Sequence, residues 1–305
     1  MSHGSAVSIS PIERAIEAPS LLGESPFWHP QEQALYYCDI PARRVHRFDP
    51  RTAASRHWEF ASEVASCAPM LDGDLLCAAR DGLWRFSPAT GARALLAAPP
   101  YDTSTERFND GKCDPQGRFW VGTVYEPRDR PSAALYRYDG RGLVQQGGGI
   151  TVSNGLGWSP DGKSLYWSDT TAHEVRAFDF DASSGTISNR RVFAAFARKV
   201  PAAPLSSYGG RPDGAAVDVD GNYWVAMYEG RRVLCVGADG NVRASVDLPV
   251  QCPTMCCFGD ADLKTLYITT ARHGRSEAEL AADPWAGCVL RMRVSVPGLP
   301  VNLFV

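Results

Sequence analysis

Glu24, Asn109, Asn154 and Asp213 occupy one position of a repeated pattern, and all four side chains carry oxygen. The pattern is clearest from Asn154: an apolar residue four on (Trp158), a turn seven and eight on (Asp161-Gly162), and a new apolar strand by eleven (Leu165). The same steps from Asp213 reach Val217, Asp220-Gly221 and Trp224; from Asn109 they reach Cys113, Gln116-Gly117 and Trp120. From Glu24 they reach Trp28, Gln31-Glu32 and Leu35, and looser copies begin near Ser66 and Thr254. Carboxylate and amide oxygens are the ligands that hard divalent cations take. Two carboxylates held together repel and raise each other's pKa unless a cation lies between them. Glu24, Asn154 and Asp213, with Asn109 beside them, are therefore a candidate metal cluster. The competing reading is that they bind channel water or cap strand ends.

These residues share a site only if the fold makes their positions converge. Each copy reads as two short strands joined by a tight turn, because Asp-Gly supplies the positive dihedrals that a hairpin needs. Following the apolar runs past each hairpin gives six units of about 40–60 residues, each a four-strand meander, a period typical of propeller blades. Third strands such as Arg44–Asp49, Ala134–Asp139 and Glu174–Asp179 alternate apolar and polar residues and end in Phe-Asp or Tyr-Asp, as blade-to-blade packing requires. Periodic helix signals are nearly absent. The expected fold is all-β, a six-bladed β-propeller; a two-sheet sandwich does not explain six similar units. Residues 1–10 are expected to be a disordered lead and 11–305 one propeller domain, with a strand near Ile12–Ile16 completing the last blade. The innermost strand of each blade lines the central channel, so the shared positions meet at one mouth.

Composition narrows the function classes. A chain of 305 residues with net charge −3 and pI near 6.1 has no basic stripe for nucleic acid. No signal peptide and no apolar run of membrane-spanning length stands out. Nine cysteines, many inside apolar strands, read as reduced core thiols of a cytoplasmic protein. Cys252, Cys256 and Cys257 match no zinc spacing. The histidines show no paired-ligand spacing, and Gly-x-Ser-x-Gly and phosphate-loop motifs are missing. Asp179–Ser183 superficially resembles a calcium loop, but Arg190 stands where a bidentate Glu is required, so a hairpin turn is expected. Arg198–Arg211 reads as a long connection, either solvated or a lid that meets an anionic group of a substrate.

Gly23-Glu24-Ser25-Pro26, Arg107-Phe108-Asn109-Asp110-Gly111-Lys112, Ser153-Asn154-Gly155-Leu156 and Pro212-Asp213-Gly214 resemble the signature segments of the SMP-30/gluconolactonase/luciferin-regenerating family. Asp181–Arg191, Cys256-Cys257-Phe258-Gly259 and Val296–Pro300 are similar too, so the resemblance covers nearly the whole chain. It implies a six-bladed propeller that binds one divalent cation through Glu24, Asn154 and Asp213. It also implies lactone hydrolysis with Arg107 and Asn109 touching substrate. The family's substrate-contact Glu has no exact counterpart: Glu126 is one residue away and Pro127 fills the place.

The function expected is that of a metal-dependent lactonase acting on a sugar-acid lactone, with Asp213 orienting or deprotonating the attacking water. The cation is Ca²⁺, Mg²⁺, Mn²⁺ or Zn²⁺, since oxygen ligands admit each. The expected partner is a small sugar lactone, not nucleic acid or membrane. Two rivals are a non-enzymatic interaction propeller and a propeller hydrolase of aryl esters or organophosphates.

Overall fold

The structure is a computed structural model that describes residues 8–305. Apolar runs broken by Asp-Gly and similar turns become short antiparallel strands, and 24 strands make six four-stranded sheets. β1 (Glu13–Ile16) comes first and stands apart from the blade that follows it. The first blade is β2 (Gly23–His29), β3 (Ala34–Asp39), β4 (Arg44–Asp49) and β5 (Ala54–Glu59). The second is β6 (Val64–Pro69), β7 (Leu75–Ala79), β8 (Gly82–Phe86) and β9 (Arg93–Ala97). The third is β10 (Glu106–Cys113), β11 (Phe119–Tyr125), β12 (Ala133–Tyr138) and β13 (Leu143–Ile150). The fourth is β14 (Ser153–Trp158), β15 (Ser164–Asp169), β16 (Glu174–Asp181) and β17 (Thr186–Ala195). The fifth is β18 (Arg211–Val217), β19 (Tyr223–Tyr228), β20 (Arg232–Val236) and β21 (Val242–Asp247). The sixth takes β22 (Pro253–Gly259), β23 (Thr265–Thr270) and β24 (Val289–Arg293), with β1 as its outer strand. The fold is a six-bladed β-propeller.

Closure follows from that last sheet. Glu13 and Arg14 pair with Arg291 and Leu290, so the two ends of the chain share one blade. Of the expected N-terminal lead, residues 1–7 lie outside the described residues. Its last three are tied down instead: Ile9 bridges Val294, and the Ser10 N–H donates to the Arg293 carbonyl at 2.9 Å. A short helix that the sequence pattern did not show, α1 (Glu277–Ala282), lies between β23 and β24 and starts at a Ser276/Glu279 capping box.

The apolar core is divided among the blade interfaces. Tyr36 and Trp58 pack against Cys67 and Phe86 between the first two blades. Trp120, Leu135, Trp158 and Phe180 fill the third interface, and Trp28, Tyr37, Tyr267 and Val289 join the sixth blade to the first. One buried cluster sits at each of the six junctions. Burial of apolar surface therefore holds the ring together. The C-terminal segment Leu299–Asn302 lines a cavity of about 250 Å³ at one end of the channel, where Lys112 donates to the Ala215 carbonyl. The opposite end, where the innermost strands begin, holds the larger cavity.

Candidate active site

All six innermost strands change register near their first residues: Glu24/Phe27, Val64/Ser66, Phe108/Gly111, Asn154/Gly157, Pro212/Ala215 and Pro253/Met255. Such bulges add a residue to one strand and re-aim a side chain. In two of them the residue after the shared position takes left-handed backbone, Ser25 at φ 48° and Gly155 at φ 61°. Gly155 has a second constraint, because a Cβ there would lie 2.2 Å from the Tyr223 hydroxyl and 2.4 Å from Ser168 Oγ. Glycine is the residue that meets both demands.

The bulges turn Glu24, Asn109, Asn154 and Asp213 into one cavity of about 770 Å³. The residues two positions earlier, Leu22, Arg107, Val152 and Arg211, line the same cavity, as the period of an extended strand requires. Arg211 stands two positions before Asp213 as Arg107 stands two before Asn109, and Arg211 received no role of its own from the sequence.

A directed chain of hydrogen bonds orients the two amides. Thr170 Oγ1 donates to the Pro212 carbonyl at 2.8 Å, so it is left to accept from Asn154 Nδ2 at 2.9 Å. That places Asn154 Oδ1 on the side of Asn109, whose Nδ2 donates to it at 2.9 Å and to the Ser153 carbonyl at 2.8 Å. Asn109 Oδ1 in turn accepts from Arg107 Nη1 at 2.8 Å. Each amide is fixed by its donors, and Asn154 Oδ1 keeps a second lone pair. Thr170 was invisible in the sequence: it lies 16 residues from Asn154, beyond the next strand, in a segment without a motif.

The carboxylates are left short of partners. Asp213 is 6% exposed and accepts no hydrogen bond among the described residues, and Glu24 accepts only from the Ser25 N–H at 3.3 Å. Burial pushes the Asp213 carboxyl up to about 8, against the opposing pull of Arg211. Burial also raises Glu24 well above the carboxylate range, and the Asp213 and Asp110 charges push the same way. Asp110 lies beneath them, 4% exposed; its Oδ2 accepts from the Leu156 N–H at 2.9 Å and its Oδ1 has no partner. Among the described residues no three His, Cys, Asp or Glu side chains gather closely enough to hold a metal. The acidic pair therefore needs the oriented oxygen of Asn154 to make a ligand set. Two under-bonded carboxylates, one buried and one half-buried, and a fixed amide oxygen fit a hard divalent cation.

Glu126 lines the cavity but is tied to its neighbours. Arg80 grips it with Nη1–Oε2 at 2.9 Å and Nη2–Oε1 at 2.8 Å, and Arg107 Nε lies 3.4 Å from Oε1. Glu63 holds Arg80 from the other side at 2.9 Å. Arg80 and Glu63 flank strands of the second blade, which contributes none of the four clustered residues Glu24, Asn109, Asn154 and Asp213. Their role was not legible, because an Arg or Glu at a strand end is ordinary surface chemistry in one dimension.

Glu24→Gln is expected to weaken divalent-cation binding while leaving the ring folded, since no inter-blade cluster includes Glu24. Calorimetric titration of a chelated sample with Ca²⁺ checks this. Unchanged affinity with unchanged melting would remove Glu24 from the site.

The SMP-30/gluconolactonase/LRE-like region model matches residues 22–272. A 6-deoxy-6-sulfogluconolactonase of Pseudomonas putida is 41% identical over 95% of this chain and 97% of its own. Rabbit (Oryctolagus cuniculus) regucalcin is 32% identical over 91% of this chain and 93% of its own. Among solved structures, the calcium-binding protein regucalcin of Agrobacterium tumefaciens superposes with a TM-score of 0.89 at 25% identity, covering 97% of this chain and 98% of that one.

Proposed function

Since this chain belongs to the SMP-30/gluconolactonase/LRE-like family, whose relatives support a lactone hydrolase, we propose that it is a divalent-metal-dependent lactonase opening sugar-acid lactones to the free acids. The observation that carries this reading is the pair of under-bonded carboxylates, half-buried Glu24 and buried Asp213, lining one cavity. The calcium-binding relative supports a divalent cation, and the sulfogluconolactonase supports sugar-acid lactones as the substrate class.

Glu24, Asn154 and Asp213 would hold the cation. When bound it supplies Lewis-acid polarisation of the ester carbonyl and neutralises developing negative charge. The chain's own groups do the rest. Asp213 accepts a proton from the attacking water at one carboxylate oxygen as the water oxygen joins the carbonyl carbon. That proton then passes to the ring oxygen as the ester C–O bond breaks, which leaves a hydroxy acid. Arg107 and Asn109 bind hydroxyl or carbonyl oxygens of the sugar, and the Asn154–Asn109–Arg107 chain keeps them in register. Glu126, pinned by Arg80, reaches the sugar with whichever lone pairs the arginines leave free, as a hydrogen-bond acceptor. The nine free cysteines are all buried, and among the described residues no helix is long and apolar enough to cross a membrane. The thiols support a reducing, cytoplasmic setting.

The test is hydrolysis of a panel of aldonolactones by chelated protein with Ca²⁺, Mg²⁺, Mn²⁺ or Zn²⁺ restored singly. Activity on at least one lactone, lost on chelation and regained with metal, is expected; no hydrolysis with any metal overturns the proposal. Arg107→Ala is expected to raise KM by about tenfold with a smaller fall in kcat, as loss of uniform binding does. Wild-type constants on the best lactone would make Arg107 structural.

A further inference from the structure

Four arginines and four carboxylates (Glu24, Glu63, Glu126 and Asp213) line the cavity, so its charge tips positive only when a cation takes up Glu24 and Asp213. On the side of the second and third blades the charges match, with Arg80 and Arg107 facing Glu63 and Glu126. The fifth-blade side does not balance. There Glu229 is shared by Lys199 at 3.4 Å, Arg211 at 3.2 Å and Arg275 at 3.5 Å, and Glu279 answers only Arg275, at 2.5 Å. Apart from Asp213, three cations thus meet two carboxylates, and Arg211 is the one that lines the cavity.

Arg128 adds a cation with no carboxylate of its own. It sits between β11 and β12, lines the cavity, and has neither an ion-pair nor a side-chain hydrogen-bond partner among the described residues. Its neighbour Arg130, by contrast, bonds Ser132 at 3.0 Å and covers the Tyr125 ring. The Arg128 backbone is left-handed, at φ 57°, a costly conformation for a side chain of this size and one that clusters at functional sites. Arg211 is held in place by Glu229 and by the Tyr228 face, 5.0 Å from its guanidinium carbon. The connection from β17 to β18 covers this corner, with Tyr208 buried against His173 Nε2 at 2.5 Å and Lys199 reaching Glu229.

A cation held by Glu24 and Asp213 takes up the charge of both carboxylates, so Arg128 then faces the cavity without a counterion and Arg211 keeps only its share of Glu229. Guanidinium groups bind oxyanions through paired N–H donors. We propose that Arg128 and Arg211 form a subsite for an anionic group (sulfonate, phosphate or carboxylate) carried on the sugar lactone away from the ester that is hydrolysed. This rests on the lactonase reading and sharpens its substrate class.

The experiment compares kcat/KM on gluconolactone with that on its 6-sulfo, 6-phospho and 6-carboxyl counterparts, for wild type and Arg128→Gln at saturating metal. Arg128 is exposed, so the variant is expected to fold. Wild type should prefer at least one anionic lactone, and Arg128→Gln should shrink that preference by about ten- to a hundred-fold, chiefly through KM, as loss of a charged hydrogen bond does. The three substituents identify which anion is read. Equal rates on neutral and anionic lactones, or an unchanged ratio in the variant, overturn the subsite. Absence of all hydrolysis overturns the lactonase reading, and the subsite is then decided by calorimetric titration of the Ca²⁺-loaded protein with gluconate and 6-phosphogluconate. Tighter binding of the phosphorylated acid that depends on Arg128 upholds it, and equal binding of the two acids rejects it.

Discussion

Asp213→Asn is expected to lower lactone turnover by at least about a hundred-fold at saturating metal, the scale of lost general-base assistance. The substitution keeps the side chain's shape and one carbonyl oxygen, so Glu24 and Asn154 still supply a weakened cation site. It removes the only acceptor in the cluster that is both buried and free of hydrogen bonds among the described residues. Arg107 and Asn109 stay in place, because their hydrogen-bond chain runs through the Pro212 carbonyl and not through the Asp213 side chain. Lactone binding should therefore change much less than turnover. Both are to be measured at metal concentrations far above the variant's dissociation constant. Recovery of near wild-type turnover there would make Asp213 a ligand alone and move the base elsewhere.

The second large effect is on stability without metal. Burial holds the Asp213 carboxyl up to about 8, and Glu24 is raised in the same direction. An unfolded Asp titrates near about 4. Between those values the folded chain binds more protons than the unfolded one, so stability falls as pH rises through that window. The stabilising proton is fully present below the unfolded value and is lost once pH passes the folded one. Chelated protein should thus lose several degrees of Tm between about pH 5 and pH 9. Protein saturated with Ca²⁺ should lose far less, because a bound cation replaces the protons and binds more tightly as pH rises. Asp213→Asn should flatten the curve of the chelated sample. A chelated wild type whose melting is independent of pH across this window would show that the two carboxylates are not held protonated.

These two results depend on different levels of structure. The repeats were legible because their signals are local: an apolar run, a two-residue turn and another apolar run lie within about a dozen residues. That was enough to align Glu24, Asn109, Asn154 and Asp213, and even to mark β1 as the strand that completes the sixth blade. Helix α1 escaped, since six residues between two strands carry too short a period to read. Ile9 escaped because its partner, Val294, lies at the other end of the chain.

Local grammar could identify positions on a strand, since hairpin geometry and the two-residue period act over neighbouring residues and are written in residue order. It could not state which side chains hold one another. Thr170 orients Asn154, Arg80 captures Glu126 from another blade, and Glu229 gathers Lys199, Arg211 and Arg275 from three separate segments. Each of those contacts exists only after the blades close into a ring, because hydrogen bonds and ion pairs act over about three ångströms and depend on distance in space. The oxygen-bearing residues proposed to hold a cation were therefore evident from the chain, whereas their protonation, the fixing of their amides and the unpaired charge at Arg128 arise from the folded cavity.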